Sequence, residues 1–188
     1  PVGYVSATPE EGQIPAIRLL TENNRVGKGA PVKANESLAP VGRLDMDSRG
    51  LLILSDDGTV AKGVIGPEAD LEKEYIVRVR GRITRQAITL LRHGLELDGH
   101  KLKKARVTQM ADQTLRFVLT EGRNRQIRKM CDLVELRVID LVRVRIGALK
   151  MGGLAEGTWK ELKPHEVQAL LRNPSPDELR ARKTPKPD

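Results

Sequence analysis

The sequence predicts an α+β fold: a central mixed or antiparallel β-sheet flanked by helices and loops. Three observations carry that prediction. Stretches that alternate like strands follow one another at 72–81, 103–110, 114–120 and 137–146, which favours antiparallel neighbours. Helical periodicity is confined to short segments, so helices are the minority. The regular strand–helix alternation and glycine-rich phosphate loop of a doubly wound parallel sheet are both missing.

Taken in order, residues 1–7 (PVGYVSA) read as a strand entering a loop, and 13–21 (QIPAIRLLT) as a short helix with Ile14, Ile17 and Leu20 at helical spacing. The Gly-, Pro- and Asn-rich stretch 23–40 reads as loop. Gly50 introduces LLIL (51–54), a continuous apolar run closed by the Asp57-Gly58 turn signal, which predicts a buried central strand. A short helix is expected over 59–65. In EKEYIVRVRG (72–81), Tyr75, Val77 and Val79 share one face and Arg78 and Arg80 the other, giving a half-exposed strand with a basic side. TRQAITLLRH (84–93) reads as a helix stopped at Gly94, and the strands at 103–110 and 114–120 are joined by the polar ADQ. Over 124–135, Ile127, Met130, Cys131 and Val134 line one side of a helix while Arg125, Arg128, Lys129 and Asp132 form a basic ridge opposite. A strand at 137–146, a Gly-rich loop, a short strand around Trp159 and a helix from Pro164 to Leu171 complete one domain over 1–172. The Pro-rich, charged residues 173–188 read as a disordered tail.

With 188 residues, one core is expected, and no apolar run approaches a membrane span. A soluble, cytoplasmic protein without membrane contact fits. The single cysteine, Cys131, excludes an internal disulfide framework and a cysteine-built metal site. His93, His100 and His165 are scattered and suggest neither a metal nor a Ser-His pair. The chain opens at Pro1, without an initiator methionine and in what reads as a strand, so a preceding segment is expected. A net charge of +8 points to a polyanionic partner, nucleic acid first. Aromatic residues are only 2% (Tyr4, Tyr75, Phe117, Trp159), too few for a stacking platform, so any bases are handled one at a time.

Two blocks carry chemistry. In VGRLDMDSRGLLIL (41–54), Arg43 and Asp45 lie two residues apart, on the same side of an extended segment. A guanidinium there favours the ionised carboxylate, which suits a nucleophile better than a proton donor. An ordinary ion pair fixing a loop is the plainer reading, and the Asp45-x-Asp47 spacing also resembles a magnesium-dependent phosphotransferase site. In EGRNRQIRKM (121–130), four cations at the start of a helix make an anion site, because side-chain charge adds to the free N–H groups of the first turn.

These residues also carry a family resemblance. VGRLDMDSRGLLILSDDG resembles the G-R-L-D signature of pseudouridine synthases, KEYIVRV their second motif, and EGRNRQIRKMCDLVELRVIDLVRVRIG their third, in the form used by the RsuA-type branch that modifies ribosomal RNA. The resemblance covers residues 1 to about 163, in the family's order and spacing. It implies the pseudouridine synthase fold and an enzyme that breaks the N-glycosidic bond of one uridine, rotates the uracil and rejoins it through C5, with neither cofactor nor metal. Asp45 matches the catalytic aspartate, Tyr75 the tyrosine that stacks on the flipped base, and Arg128 the basic residue that pairs with the aspartate. Leu141 matches the aliphatic wall of the pocket. Arg43 would orient the catalytic loop, while Arg123, Arg125 and Lys129 would meet RNA phosphates. The implied partner is ribosomal RNA, large-subunit before small-subunit, with tRNA as an alternative and no DNA, acted on by a monomer. Members of this branch usually carry a small S4-type RNA-binding domain ahead of the catalytic one. The rival from another class is a binding-only module that keeps the fold without turnover.

Overall fold

The computed structural model describes residues 1–29, 37–67 and 69–172; the tail expected over 173–188 lies outside the described residues. Strands β1 (Tyr4–Val5), β2 (Ile14–Pro15), β3 (Ala39–Val41), β4 (Arg49–Gly50) and β5 (Ile53–Ser55) precede helix α1 (Gly58–Ile65). Next come β6 (Lys73–Arg80), α2 (Arg85–Arg92), β7 (Glu96–Leu97), β8 (His100–Lys101), β9 (Arg106–Ala111) and β10 (Thr114–Leu119). Helix α3 (Gln126–Leu133), β11 (Arg137–Ile146), β12 (Leu149–Lys150) and α4 (Pro164–Leu171) follow.

The main sheet runs β12-β11-β6-β10-β9, all antiparallel, and β4 joins β11 in parallel, so it is mixed as expected. Period-two alternation in β6 decides which face is core: Val77 and Val79 are buried beside Leu115, Phe117 and Leu141, and α2 and α3 cover them with Leu91, Ile127 and Met130. The opposite face carries charge. There Arg145 bridges Glu72 (3.0 Å) and Glu74 (2.8 Å), which also bind Arg106 and Arg116 at 2.7 Å each. Thr84 caps α2 by accepting from the Ala87 N–H (3.0 Å), and Asp57 caps α1 by accepting from Thr59 (2.7 Å).

Three expectations are corrected. LLIL is no central strand: only Ile53–Ser55 is extended, and it pairs with β3 in a separate two-stranded sheet. An apolar run reports burial, not neighbours, and here Leu51 and Ile53 are buried in a second core with Val41, Val64 and Leu170, between α1 and α4. The helix expected over 13–21 is a parallel pairing of β2 with β1 followed by a 3-10 turn at Ala16–Leu19. Pro15 holds Ile14 extended and has no N–H to give a helix. Trp159 forms no strand but a single bridge to Arg25.

Candidate active site

The loop before β4, the first turn of α3 and strands β6 and β11 converge on one cleft of about 660 Å3, lined by Asp45, Ser48, Lys73, Tyr75, Leu141 and Arg143 among others. Arg43, Arg123, Arg125 and Arg128 line it too, so of the eight expected site residues only Lys129 lies elsewhere. Its ammonium is bound to Asp98 in the β7–β8 turn at 2.9 Å.

The loop carrying Asp45 is fixed from four directions. The Ser6 hydroxyl donates to the Leu44 carbonyl (2.8 Å) and accepts from the Leu44 N–H (2.7 Å), while the Gly3 N–H donates to Met46 O (2.7 Å). Ser48 N–H closes the turn on Asp45 O (2.9 Å). From α3, Arg125 forks onto Asp47 at 3.0 and 2.8 Å, and Arg128 Nη2 donates to Asp47 O (2.7 Å) and Ser48 Oγ (3.0 Å). From β11, Arg143 donates through Nη1 to Arg43 O (2.9 Å) and through Nε to Leu51 O (2.8 Å). Gly50 lets β4 lie this close to β11. It has φ 114°, and a Cβ there would collide with the Arg143 carbonyl.

The cation nearest Asp45 differs from both expectations. Arg125 Nη1 stands 3.7 Å from Asp45 Oδ2, whereas Arg128 reaches Asp47 (3.3 Å), and among the described residues Arg43 makes no ion pair with Asp45. Arg43 is exposed and contributes its backbone carbonyl. Arg125 can turn inward because it begins α3 in the left-handed region, φ 52°. Its hydrogen bond holds the Asp47 carboxyl below its ordinary value against the opposing effect of burial. With two guanidiniums on Asp47, the Asp45-x-Asp47 pair does not offer two free carboxylates to a cation, and no cluster of three metal-ligating side chains occurs among the described residues.

Tyr75 is half-buried on the core face of β6 and lies opposite Arg143 of β11; Leu141 lies opposite Val77 on the same face. Ser48, Lys73 and Arg143 were not singled out in the sequence. The signal for Arg143 was its parity: it shares the apolar face with Leu141, and an arginine there needs a reason. Arg143 is 3% exposed. A second cavity of about 620 Å3, bordered by Tyr4, Leu19, Leu52 and Trp159, lies behind the same loop and also touches Asp45 and Ser48. It lacks Tyr75 and the arginines of α3.

This arrangement holds a one-third exposed carboxylate (33%) in a cationic cleft that an aromatic ring also lines, parts suited to receive one extruded base and attack its nucleotide. Comparison with known proteins shows the family. The chain is 33% identical over 172 residues to the dual-specificity RNA pseudouridine synthase RluF of Escherichia coli (strain K12), an alignment covering 92% of this chain and 55% of that protein. It is 34% identical over 141 residues to the ribosomal large subunit pseudouridine synthase B of Bacillus subtilis (strain 168), covering 72% and 58%. The chain thus spans about half the length of the curated relatives it matches. A crystal structure of a pseudouridylate synthase superposes with a TM-score of 0.77 at 24% identity over 90% of this chain and 70% of that one, which shows the pseudouridine synthase fold. With the RNA pseudouridylate synthase family model matching residues 1–133 and relatives a third identical across most of its length, the chain belongs to that family.

Proposed function

We propose that the protein converts a uridine of ribosomal RNA to pseudouridine, large-subunit RNA before small-subunit RNA and tRNA. The observation that supports it is the placement of the Asp45 carboxylate 3.7 Å from Arg125, in the cleft that Tyr75 and Leu141 also line. In this reading Asp45 adds to the ribose or the base and the N1–C1′ bond breaks. The uracil turns against Tyr75, C5 bonds to C1′ and the bond to Asp45 breaks to return the free carboxylate, and the hydrogen at C5 leaves to solvent while N1 gains a proton. Arg125 favours the ionised nucleophile, and the fixed loop supplies orientation before the substrate arrives. Leu141 walls the pocket, and Arg123 at the rim (41% exposed) meets phosphate.

Tritium release from ribosomal RNA labelled at uridine C5 tests the reaction. Release by the wild type, at least about 1,000-fold slower with Asp45→Asn, is expected on the scale of losing a covalent nucleophile. RNA binding should persist in that variant. Substantial residual turnover would remove Asp45 from the role, and binding without release by either protein would favour the binding-only module.

A further inference from the structure

Lys73 and Arg143 are two cations on the core face of the sheet, flanking Tyr75. Lys73 precedes Tyr75 by two residues on β6, about 7 Å along the strand, and Arg143 is the cross-strand partner of Tyr75. Both line the cleft. Their neighbourhood is rich in acids, yet those acids are engaged elsewhere. Asp70 binds Lys103 at 3.1 Å, and Glu72 and Glu74 face the other side of the sheet, held by Arg106, Arg116 and Arg145. Lys73 makes one polar contact among the described residues, donating to the Leu71 carbonyl at 3.4 Å. Arg143 spends Nε and Nη1 on the loop, while its buried Nη2 has no hydrogen-bond partner among the described residues.

The chain treats other partly enclosed arginines of this sheet differently: Arg49 is neutralised by Asp140 (2.8 Å) and Glu156 (3.1 Å), and Arg145 by Glu72 and Glu74. Burial, and after it the charge of Arg143, pulls the Lys73 ammonium below its ordinary value, so the pair costs the free protein stability. Like charges placed together in a cleft, with a donor to spare, fit a divalent-charged or singly charged oxyanion that accepts from both. We infer that Lys73 and Arg143 form a phosphate subsite that takes the RNA phosphodiester adjoining the nucleotide whose base meets Tyr75. This inference rests on the proposed action on RNA. It assigns to β6 and β11 an anchoring task separate from the basic start of α3.

The test compares binding of uridine, uridine 5′-monophosphate and uridine 3′-monophosphate to the 188-residue chain by calorimetry. Wild type should bind one monophosphate about tenfold or more tightly than uridine, the scale of one charge-assisted contact. Lys73→Met should reduce that preference to less than about threefold, and Lys73→Arg should keep most of it. In the same set, Lys73→Met should raise the melting temperature of the free protein, because it removes one of two enclosed like charges. Equal affinity of wild type for uridine and both monophosphates would overturn the subsite, as would a preference undiminished in Lys73→Met. A lowered melting temperature with the preference intact would make Lys73 a structural cation. Inorganic phosphate displacing the nucleotide as well as the nucleotide displaces itself would overturn the link to RNA. Tritium release separates the two ideas: release without a phosphate preference sinks the subsite alone, and a Lys73-dependent preference without release sinks the reaction alone.

Discussion

Asp45 and Asp47 are two residues apart and have different work. Asp47 is a fastener: both its carboxylate and its carbonyl are held by α3, which ties the loop to the helix. Because its carboxyl titrates lower in the folded chain than in the unfolded one, its contribution to stability is present above the unfolded value near 4 and is lost as pH falls through the lower folded value. Asp47→Asn should therefore weaken the protein at neutral pH and flatten its acid unfolding below about pH 4; an acid limb identical to wild type would show that the fork contributes nothing. Cys131 offers a second check at this scale. Burial pushes its thiol up to about 12, so a thiol reagent at pH 8 should react with the unfolded chain and hardly at all with the folded one. The family resemblance pointed to Asp45, Tyr75, Arg128 and Leu141, all of which line the cleft. It could not disclose that Arg125, not Arg128, stands nearest Asp45, since that depends on a left-handed backbone at the start of α3.

Among elements, β4 and α1 show what local sequence can and cannot specify. Gly50 looked like the introduction to a strand; its task is to let β4 lie against Arg143. Gly50→Ala combines a positive φ with a collision against backbone, and a loss on the order of 3 kcal/mol is expected in chemical denaturation. A change under about 0.5 kcal/mol would mean that β4 can leave β11 freely. Asp57, by contrast, was legible as turn chemistry and caps α1 from an exposed position, so Asp57→Ala should cost about 1 kcal/mol. The long strands β6, β10 and β11 and helices α2 and α3 were readable within one to three residues because their apolar period is unmixed. LLIL was misplaced because a continuous run fits any doubly covered site, and only tertiary packing between α1 and α4 decides which.

For the molecule as a whole, the charge that suggested nucleic acid is divided between structure and surface. Arg106, Arg116 and Arg145 are consumed by Glu72 and Glu74 on the outer face of the sheet, and Arg125 and Arg128 by the loop. Net charge alone could not show this division. Arg123→Gln should lower RNA affinity severalfold and reduce the salt slope by about one. Arg125→Gln should instead lower turnover more than it changes that slope, because its guanidinium is already occupied. A slope change of about one for Arg125→Gln alone would reverse that assignment.

The bonds that hold the Asp45 loop span long stretches of chain: 38 residues to Ser6, 78 from Arg125 to Asp47 and 100 from Arg143 to Arg43. During synthesis, therefore, Asp45 emerges well before the last anchor of its loop. A nascent chain that ends before Arg143 carries the aspartate without the strand that fixes its loop. The loop is therefore fixed only once β11 slots beside β6, and release at any earlier codon yields a chain with its signature motif present and its loop unanchored.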